Sequence, residues 1–74
     1  MTALEFLLFS KTRAAEMDLQ SVKKALEPFA MGDPGAKGLL RIRAARQERY
    51  NTLFGILSDA RLVNDYEAWK GENA

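Results

Sequence analysis

The fold is decided by the stretch AEMDLQSVKKALEPF at residues 15–29, in which an apolar side chain recurs every third or fourth residue. This spacing places Leu19, Val22 and Leu26 on one face of an α-helix. A break follows at Gly32-Asp33-Pro34-Gly35, and a second stripe with helical spacing comes after it. Its members are Leu39, Ile42, Ala45, Leu53, Ile56, Ala60 and Val63. Two amphipathic helices joined by a short break predict an all-α fold built on an antiparallel helical hairpin.

The ends of both helices carry local signals. The segment Thr2-Ala3-Leu4-Glu5 has the form of a capping box, in which the Thr hydroxyl and the Glu carboxylate each accept a backbone N–H. Pro28 opposes helical geometry in the residue before it, so the first helix is predicted over about residues 3–27. Asp33 as N-cap and Pro34 in the first helical position predict the start of a second helix, which covers about residues 36–63.

The last part of the chain allows two interpretations. Asn64 or Asp65 is suited to cap a short third helix over about residues 65–70, which Gly71 would end. Alternatively, the second helix continues into this segment. In both cases residues 1–74 form a single helical domain, because a chain of this length supports only one core.

The composition argues against an enzyme. The chain has no histidine and no cysteine, and therefore lacks the usual general base, nucleophile and metal ligands. It contains no Gly-rich phosphate-binding loop after a strand and no carboxylate cluster with ligand spacing. We expect no catalytic residues, no metal, no cofactor and no small-molecule substrate. Such a protein is expected to act by binding.

The apolar residues near the start of the chain do not predict a membrane segment. The longest apolar run is Phe6-Leu7-Leu8-Phe9, whereas a spanning helix needs about 18 apolar residues. No basic segment precedes this run and no small-residue cleavage site follows it, so a signal peptide is not indicated. A cytoplasmic location is the default expectation.

Several large apolar residues point away from the predicted seam of the hairpin. A helical wheel places Phe6 on the far side of the first helix, and Phe54 on the far side of the second. One interpretation is that the C-terminal segment folds back and closes a three-helix core. The other is that these residues dock on a protein partner or a second copy of the chain. The predicted partner-binding residues are Phe6, Phe9, Phe54, Leu62, Tyr66 and Trp69.

Basic residues are concentrated at the start of the second helix. Lys37, Arg41 and Arg43 are candidates to contact phosphates or an acidic partner. Nucleic-acid binding through this basic segment is the less favoured hypothesis, because the side chains spread around the helix. Arg49 falls in the sector of the seam, where we expect an ion pair with Glu16 of the first helix.

The strings Met1-Thr2-Ala3-Leu4-Glu5 and Gly55-Ile56-Leu57-Ser58, on two helices separated by a Gly/Pro break, resemble the small co-chaperones of type III secretion needle subunits. The resemblance implies a helical hairpin that joins a second chaperone and holds the needle subunit unpolymerised in the cytoplasm. It also implies that apolar helix positions contact the partner. The chain departs from that family in its tail, Tyr66 to Trp69, which has no counterpart there.

The sequence therefore predicts a non-enzymatic helical protein-interaction module, with a type III secretion co-chaperone as its specific form. The alternative from another class is a small phage- or mobile-element-encoded inhibitor, similar to anti-CRISPR proteins, that blocks a host protein complex. Short length, surplus apolar surface and the absence of catalytic motifs favour both equally.

Overall fold

The computed structural model describes residues 1–73 and consists of three α-helices. These are α1 (Ala3–Leu26), α2 (Lys37–Asp59) and α3 (Val63–Glu72), with a short 3₁₀ turn at Pro34–Ala36 before α2. Helices α1 and α2 form an antiparallel hairpin, and α3 folds back against it at the end where α1 begins and α2 ends. The predicted all-α hairpin with a short third helix is confirmed.

The predicted capping box begins α1. The Glu5 backbone N–H donates to the Thr2 hydroxyl oxygen at 3.1 Å, and the Thr2 backbone N–H donates to the Glu5 carboxylate at 3.4 Å. These contacts pair N–H groups that have no acceptor inside the helix. Local chemistry thus sets the start of α1 where the sequence places it.

The turn between α1 and α2 also follows its sequence signals. The Asp33 carboxylate accepts a 2.8 Å hydrogen bond from the Gly35 N–H, and Pro34 occupies the first position of the 3₁₀ turn that leads into α2. Gly32 has a φ of 81°, a conformation that residues with a Cβ atom rarely adopt. The turn therefore depends on Gly32 and Asp33 in particular.

Helix α2 ends earlier than predicted, at Asp59 rather than near residue 63. Arg61 adopts a left-handed conformation with a φ of 58°, and the Leu62 N–H donates to the Leu57 carbonyl oxygen at 2.8 Å. This is a Schellman turn, which ends a helix and redirects the chain. Helix α3 accordingly begins at Val63, without the predicted side-chain cap from Asn64 or Asp65.

The centre of the core is formed by one buried residue from each helix. Phe9 of α1, Leu57 of α2 and Tyr66 of α3 pack together. The residues that surround this cluster are partly buried; they are Leu8, Phe54, Leu62, Val63 and Trp69. Further along α1, Ala15, Leu19 and Val22 are buried in the hairpin, as predicted.

The inward face of α2 is rotated from the prediction, because Leu39 and Leu53 are partly buried as expected but the isoleucines of the stripe are not. Ile42 and Ile56 are 44% and 47% exposed, whereas Leu57 is fully buried. Tyr50 and Phe54 are partly buried on the same side as Leu57. Burying aromatic side chains removes more apolar surface from water than burying isoleucines, and α3 packs on the side of α2 that carries the aromatic rings. The helix is rotated accordingly.

The apolar stripe of Leu19 and Val22, continued backward at helical spacing through Leu8 to Leu4, is not buried at its first residue. Leu4 is 75% exposed, while Thr12 is fully buried although it lies outside the stripe. The Thr12 hydroxyl donates to the Leu8 carbonyl oxygen at 2.8 Å, which removes the cost of burying an unpaired polar group. The first half of α1 is likewise rotated toward α3, because Phe9 packs on the aromatic rings of that helix.

Candidate functional site

The aromatic residues that were predicted to bind a partner lie mostly in the core. Phe9 contacts Tyr66 with ring centroids 5.8 Å apart and Trp69 with centroids 5.7 Å apart. Phe6 meets Trp69 edge-on at 6.1 Å and is itself 54% exposed. Phe54 and Leu62 are partly buried around the same cluster. The C-terminal segment thus closes a three-helix core, and a partner reaches Phe9 or Tyr66 only if α3 leaves α1.

A polar cluster around the Glu16 carboxylate holds α3 against α1. The Tyr66 hydroxyl donates to Glu16 at 2.8 Å, and the Lys70 ammonium lies 3.3 Å from the other carboxylate oxygen. Arg13, one turn earlier on α1, is also 3.3 Å from Glu16. Lys70 further contacts Glu67 at 3.3 Å and lies 5.3 Å from the centre of the Tyr66 ring. One carboxylate therefore contacts three side chains from two helices, two of them as hydrogen-bond donors.

The environment shifts the pKa of Glu16, Tyr66 and Lys70 in this cluster. Burial raises the pKa of Glu16, but the hydrogen bonds from Tyr66 and Lys70 and the charges of Lys70 and Arg13 outweigh it, so its pKa lies below the ordinary value. Burial and then the hydrogen bond to Glu16 raise the pKa of Tyr66 well above its usual range. Burial lowers the pKa of Lys70, but its contacts with Glu67 and Glu16 raise it by more, so the pKa of Lys70 lies above its ordinary value. The cluster is thus an ionised carboxylate with cationic and hydroxyl donors, which is a structural linkage.

The predicted phosphate contacts do not share one surface. Lys37, Arg41 and Arg43 are all exposed, but Arg41 and Arg43 are two residues apart on α2 and therefore point to opposite sides of the helix. Arg43 lies beside a surface groove of about 470 Å³ near the hairpin turn. This groove is lined by Leu26, Phe29, Ala30, Met31, Gly32, Ala36, Leu40 and Arg43. These basic residues therefore do not form a single face that could bind an anion.

The expected ion pair between Arg49 and Glu16 is wrong. The Glu16 carboxylate faces α3 and is bound there by Tyr66 and Lys70. The contact between the two hairpin helices comes from Arg46 instead, whose guanidinium donates to the Asp18 carbonyl oxygen at 2.8 Å. Arg49 lies on the opposite side of the hairpin from Glu16, since α2 is rotated relative to the prediction.

That opposite side carries an uncovered groove between α1 and α2, here termed the open groove. It has a volume of about 520 Å³ and is lined by Lys11, Ala45, Glu48, Arg49, Thr52 and Leu53. Leu4 and Leu7 lie on the same face of α1 as Lys11, and are 75% and 50% exposed. Ile42 and Ile56 share the face of α2 that carries Ala45 and Arg49. These four flanking residues are counted with the open groove, which is therefore a surface about two helices wide that carries both apolar and charged side chains.

Two further kinds of feature would bear on the function of residues 1–73, a group of metal-ligating side chains and a helix that crosses a bilayer. Within residues 1–73 no three Asp or Glu side chains come together in a way that would hold a metal ion. None of the three helices combines the length and apolar character needed to cross a bilayer. What the surface offers is apolar contact area with charged residues beside it.

Comparison with protein families, with curated proteins and with solved structures gives no match for this chain. The resemblance to type III secretion co-chaperones remains a prediction.

Sequence reasoning missed three features of the site. The exposure of Ile42 and Ile56 was missed because their helical spacing is the same whether the stripe faces α1 or a partner. The acceptor role of Glu16 toward Tyr66 has no sequence signal, since the two residues are fifty positions apart. The burial of Leu57 was signalled only by its apolar character.

Proposed function

We propose that this chain is a non-enzymatic protein-interaction module that binds an amphipathic helix of a protein partner in the open groove. The observation that supports this proposal is the exposure of Leu4, Leu7, Ile42 and Ile56 on the side of the hairpin that α3 leaves uncovered. Contiguous exposed apolar surface on a small protein is typical of interaction sites.

The geometry of the groove favours a helix as its occupant. Ile42, Arg49 and Ile56 follow one another at intervals of seven residues, so they form a straight row of two helical turns per step along α2. The row lies beside Leu7 and Lys11 of α1. A helix of the partner laid between α1 and α2 would contact this row of α2 and the residues Leu7 and Lys11 of α1. Its contacting side chains would be spaced i, i+3, i+4 and i+7.

The charges beside the groove indicate what the partner helix carries. Lys11 and Arg49 line the groove, and within residues 1–73 neither forms an ion pair. A partner with a carboxylate beside its apolar stripe is complementary to these two cations, whereas a strongly basic helix is disfavoured. Glu48 on the same rim accepts a partner cation at one position only.

A type III secretion co-chaperone is the specific form of this proposal. Its support is the hairpin architecture together with the resembling string Gly55-Ile56-Leu57-Ser58, in which Ile56 belongs to the open groove. In that role the groove would receive a helix of a second chaperone or of the needle subunit. Co-expression with a second chaperone or with a needle subunit, followed by co-purification of a stable complex, tests the co-chaperone role.

Site-specific photo-crosslinking tests the general proposal. Benzoylphenylalanine is placed at Ile56 in the groove, and at Ser58, which is exposed on the opposite side of α2. Irradiation in cells that naturally contain the protein is expected to give discrete adducts from position 56 and none from position 58. Mass spectrometry then identifies the adduct as another protein or as a second copy.

A matched pair of substitutions completes the test. Ile56→Asp is expected to abolish the interaction, and Ser58→Asp to preserve it, while circular dichroism shows unchanged helicity for both. Equal adducts from both positions, or an interaction that survives Ile56→Asp, would contradict the proposal.

A further inference from the structure

The connection between α2 and α3 is short and conformationally strained. It consists of Ala60, Arg61 and Leu62, and Arg61 is held at a φ of 58°. Glycine is the usual residue at this position of a Schellman turn, because a Cβ atom is crowded in the left-handed conformation. An arginine there stores strain that the contacts of α3 must outweigh.

The same segment is compatible with a continuous helix. Residues 56–70 contain neither glycine nor proline, and Ala60, Arg61 and Leu62 are all good helix formers. The two backbone hydrogen bonds of the turn, from Arg61 to Ser58 and from Leu62 to Leu57, have direct replacements in regular helical bonds. Straightening the segment therefore removes the strain at Arg61 without losing backbone hydrogen bonds.

The contacts that hold α3 come from its own side chains and do not depend on the connection. Tyr66 and Lys70 bind Glu16, and the Tyr66 and Trp69 rings pack on Phe9. The α3 helix of another copy would present the same side chains to the same surface. Only the packing of Leu62 beside Leu57 belongs to the turn itself.

We propose that α3 is exchanged between two copies of the chain. In the exchanged dimer α2 and α3 form one continuous helix, and each α3 packs on Phe9 and Glu16 of the other copy. Short connections under strain favour this kind of domain swapping. The proposal does not depend on the proposed function, since the open groove lies on the other side of the hairpin.

The exchange is expected to depend on protein concentration. The closed monomer pays no association cost, so it predominates in dilute solution, and the dimer grows as the concentration rises. Refolding at high concentration is expected to raise the dimer fraction, because packing of α3 on Phe9 of a neighbouring chain then competes better with packing inside the same chain.

Two variants at the turn test the role of strain. Arg61→Gly accepts the left-handed conformation at little cost and is expected to weaken dimerisation by about tenfold or more. Arg61→Ala keeps the Cβ atom and a high helix propensity, and is expected to dimerise at least as well as the parent chain. Light scattering coupled to size-exclusion chromatography after refolding at low and high concentration gives the dimer fraction.

Cross-linking tests the exchange directly. Glu5 and Ala68 border the same groove between α1 and α3, and the chain has no cysteine. A chain with Glu5→Cys is refolded together with a chain with Ala68→Cys and treated with a short bis-maleimide. A covalent heterodimer is expected. Ser21→Cys, on an exposed part of α1 facing away from α3, replaces Glu5→Cys as the control and is expected to give none.

Three results would overturn the proposal. The first is a chain that stays monomeric at all concentrations. The second is a dimer that is equally stable with Arg61→Gly. The third is a dimer in which the Glu5→Cys and Ala68→Cys chains do not cross-link, because association then uses another surface such as the open groove.

Discussion

Ile56 and Leu57 are adjacent in α2 and have opposite environments. Leu57 is fully buried between Phe9 and Tyr66, whereas Ile56 is 47% exposed in the open groove. A single helical step of about 100° separates a residue that holds the fold from one that faces solvent. Substitutions at these two positions therefore separate the stability of the core from the binding proposed for the open groove.

We expect Leu57→Ala to lower the free energy of unfolding by about 2–5 kcal/mol, because it removes buried methyl groups and leaves a cavity. Leu19→Ala, at a buried site in the hairpin, is expected to fall in the same range. Ile56→Ala should cost less than about 1 kcal/mol, since its side chain is already largely in water. Urea denaturation measures all three. Equal losses for Leu57→Ala and Ile56→Ala would mean that α2 is rotated differently.

Glu16 makes stability depend on pH. Its pKa is lowered in the folded chain relative to the ordinary value of 4.5. A lowered pKa contributes stability above pH 4.5, and that contribution is lost as the pH falls through the folded-state pKa. Because other carboxylates titrate as well, the test compares the parent chain with Glu16→Gln, which still accepts the Tyr66 hydroxyl. We expect the parent chain to lose more stability than the variant between pH 7 and pH 3. The same loss in both would show that the contacts with Lys70 and Arg13 contribute nothing.

At the scale of the element, α2 is long and carries a glycine near the middle of its second half. Gly55 lies within the helix, and an added Cβ atom would meet nothing within 4 Å. Gly32, in contrast, has a positive φ that a Cβ atom disfavours. The two glycines therefore have different physical roles, although neither is crowded by neighbouring atoms.

We expect Gly55→Ala to raise the free energy of unfolding by about 0.5–1 kcal/mol, because alanine restricts the unfolded chain and suits the helix interior. Gly32→Ala should destabilise the protein, since its backbone conformation is strained for any residue with a side chain. Thermal melts of the two variants are expected to shift in opposite directions. A lower melting temperature for Gly55→Ala would indicate that another backbone approaches α2 in solution.

At the scale of the whole molecule, the fold of a 74-residue chain without disulfides depends on one aromatic cluster. Chains of this size bury a smaller fraction of their surface than larger domains do, and have little stability in reserve. Trp69 contacts Phe6, Phe9 and Tyr66, and is the residue through which α3 meets the start of α1. Loss of this contact should release α3 from the hairpin.

We expect Trp69→Ser to destabilise the fold by about 2–4 kcal/mol, and Phe6→Ser by less than half as much, because Phe6 is already half exposed. Thermal melts followed by far-UV circular dichroism measure both losses. The double variant should unfold at a lower temperature than either single variant, and its folded fraction should keep the interaction proposed for the open groove. A double variant that stays folded while its self-association or partner binding disappears would show instead that Phe6 and Trp69 form the interface.

The sequence by itself determined the local structure. The Thr2–Glu5 capping box, the Asp33-Pro34 turn and the stripe through Leu19 act between residues a few positions apart, so their chemistry is visible in the order of the residues. The tertiary structure alone decided which face of α2 is buried, where that helix ends before Arg61, and which residues Glu16 binds. Helix α2 carries apolar residues on two faces, and the hydrophobic effect has no direction of its own. The aromatic rings of α3 select one face by packing on it, and so leave Ile42 and Ile56 exposed.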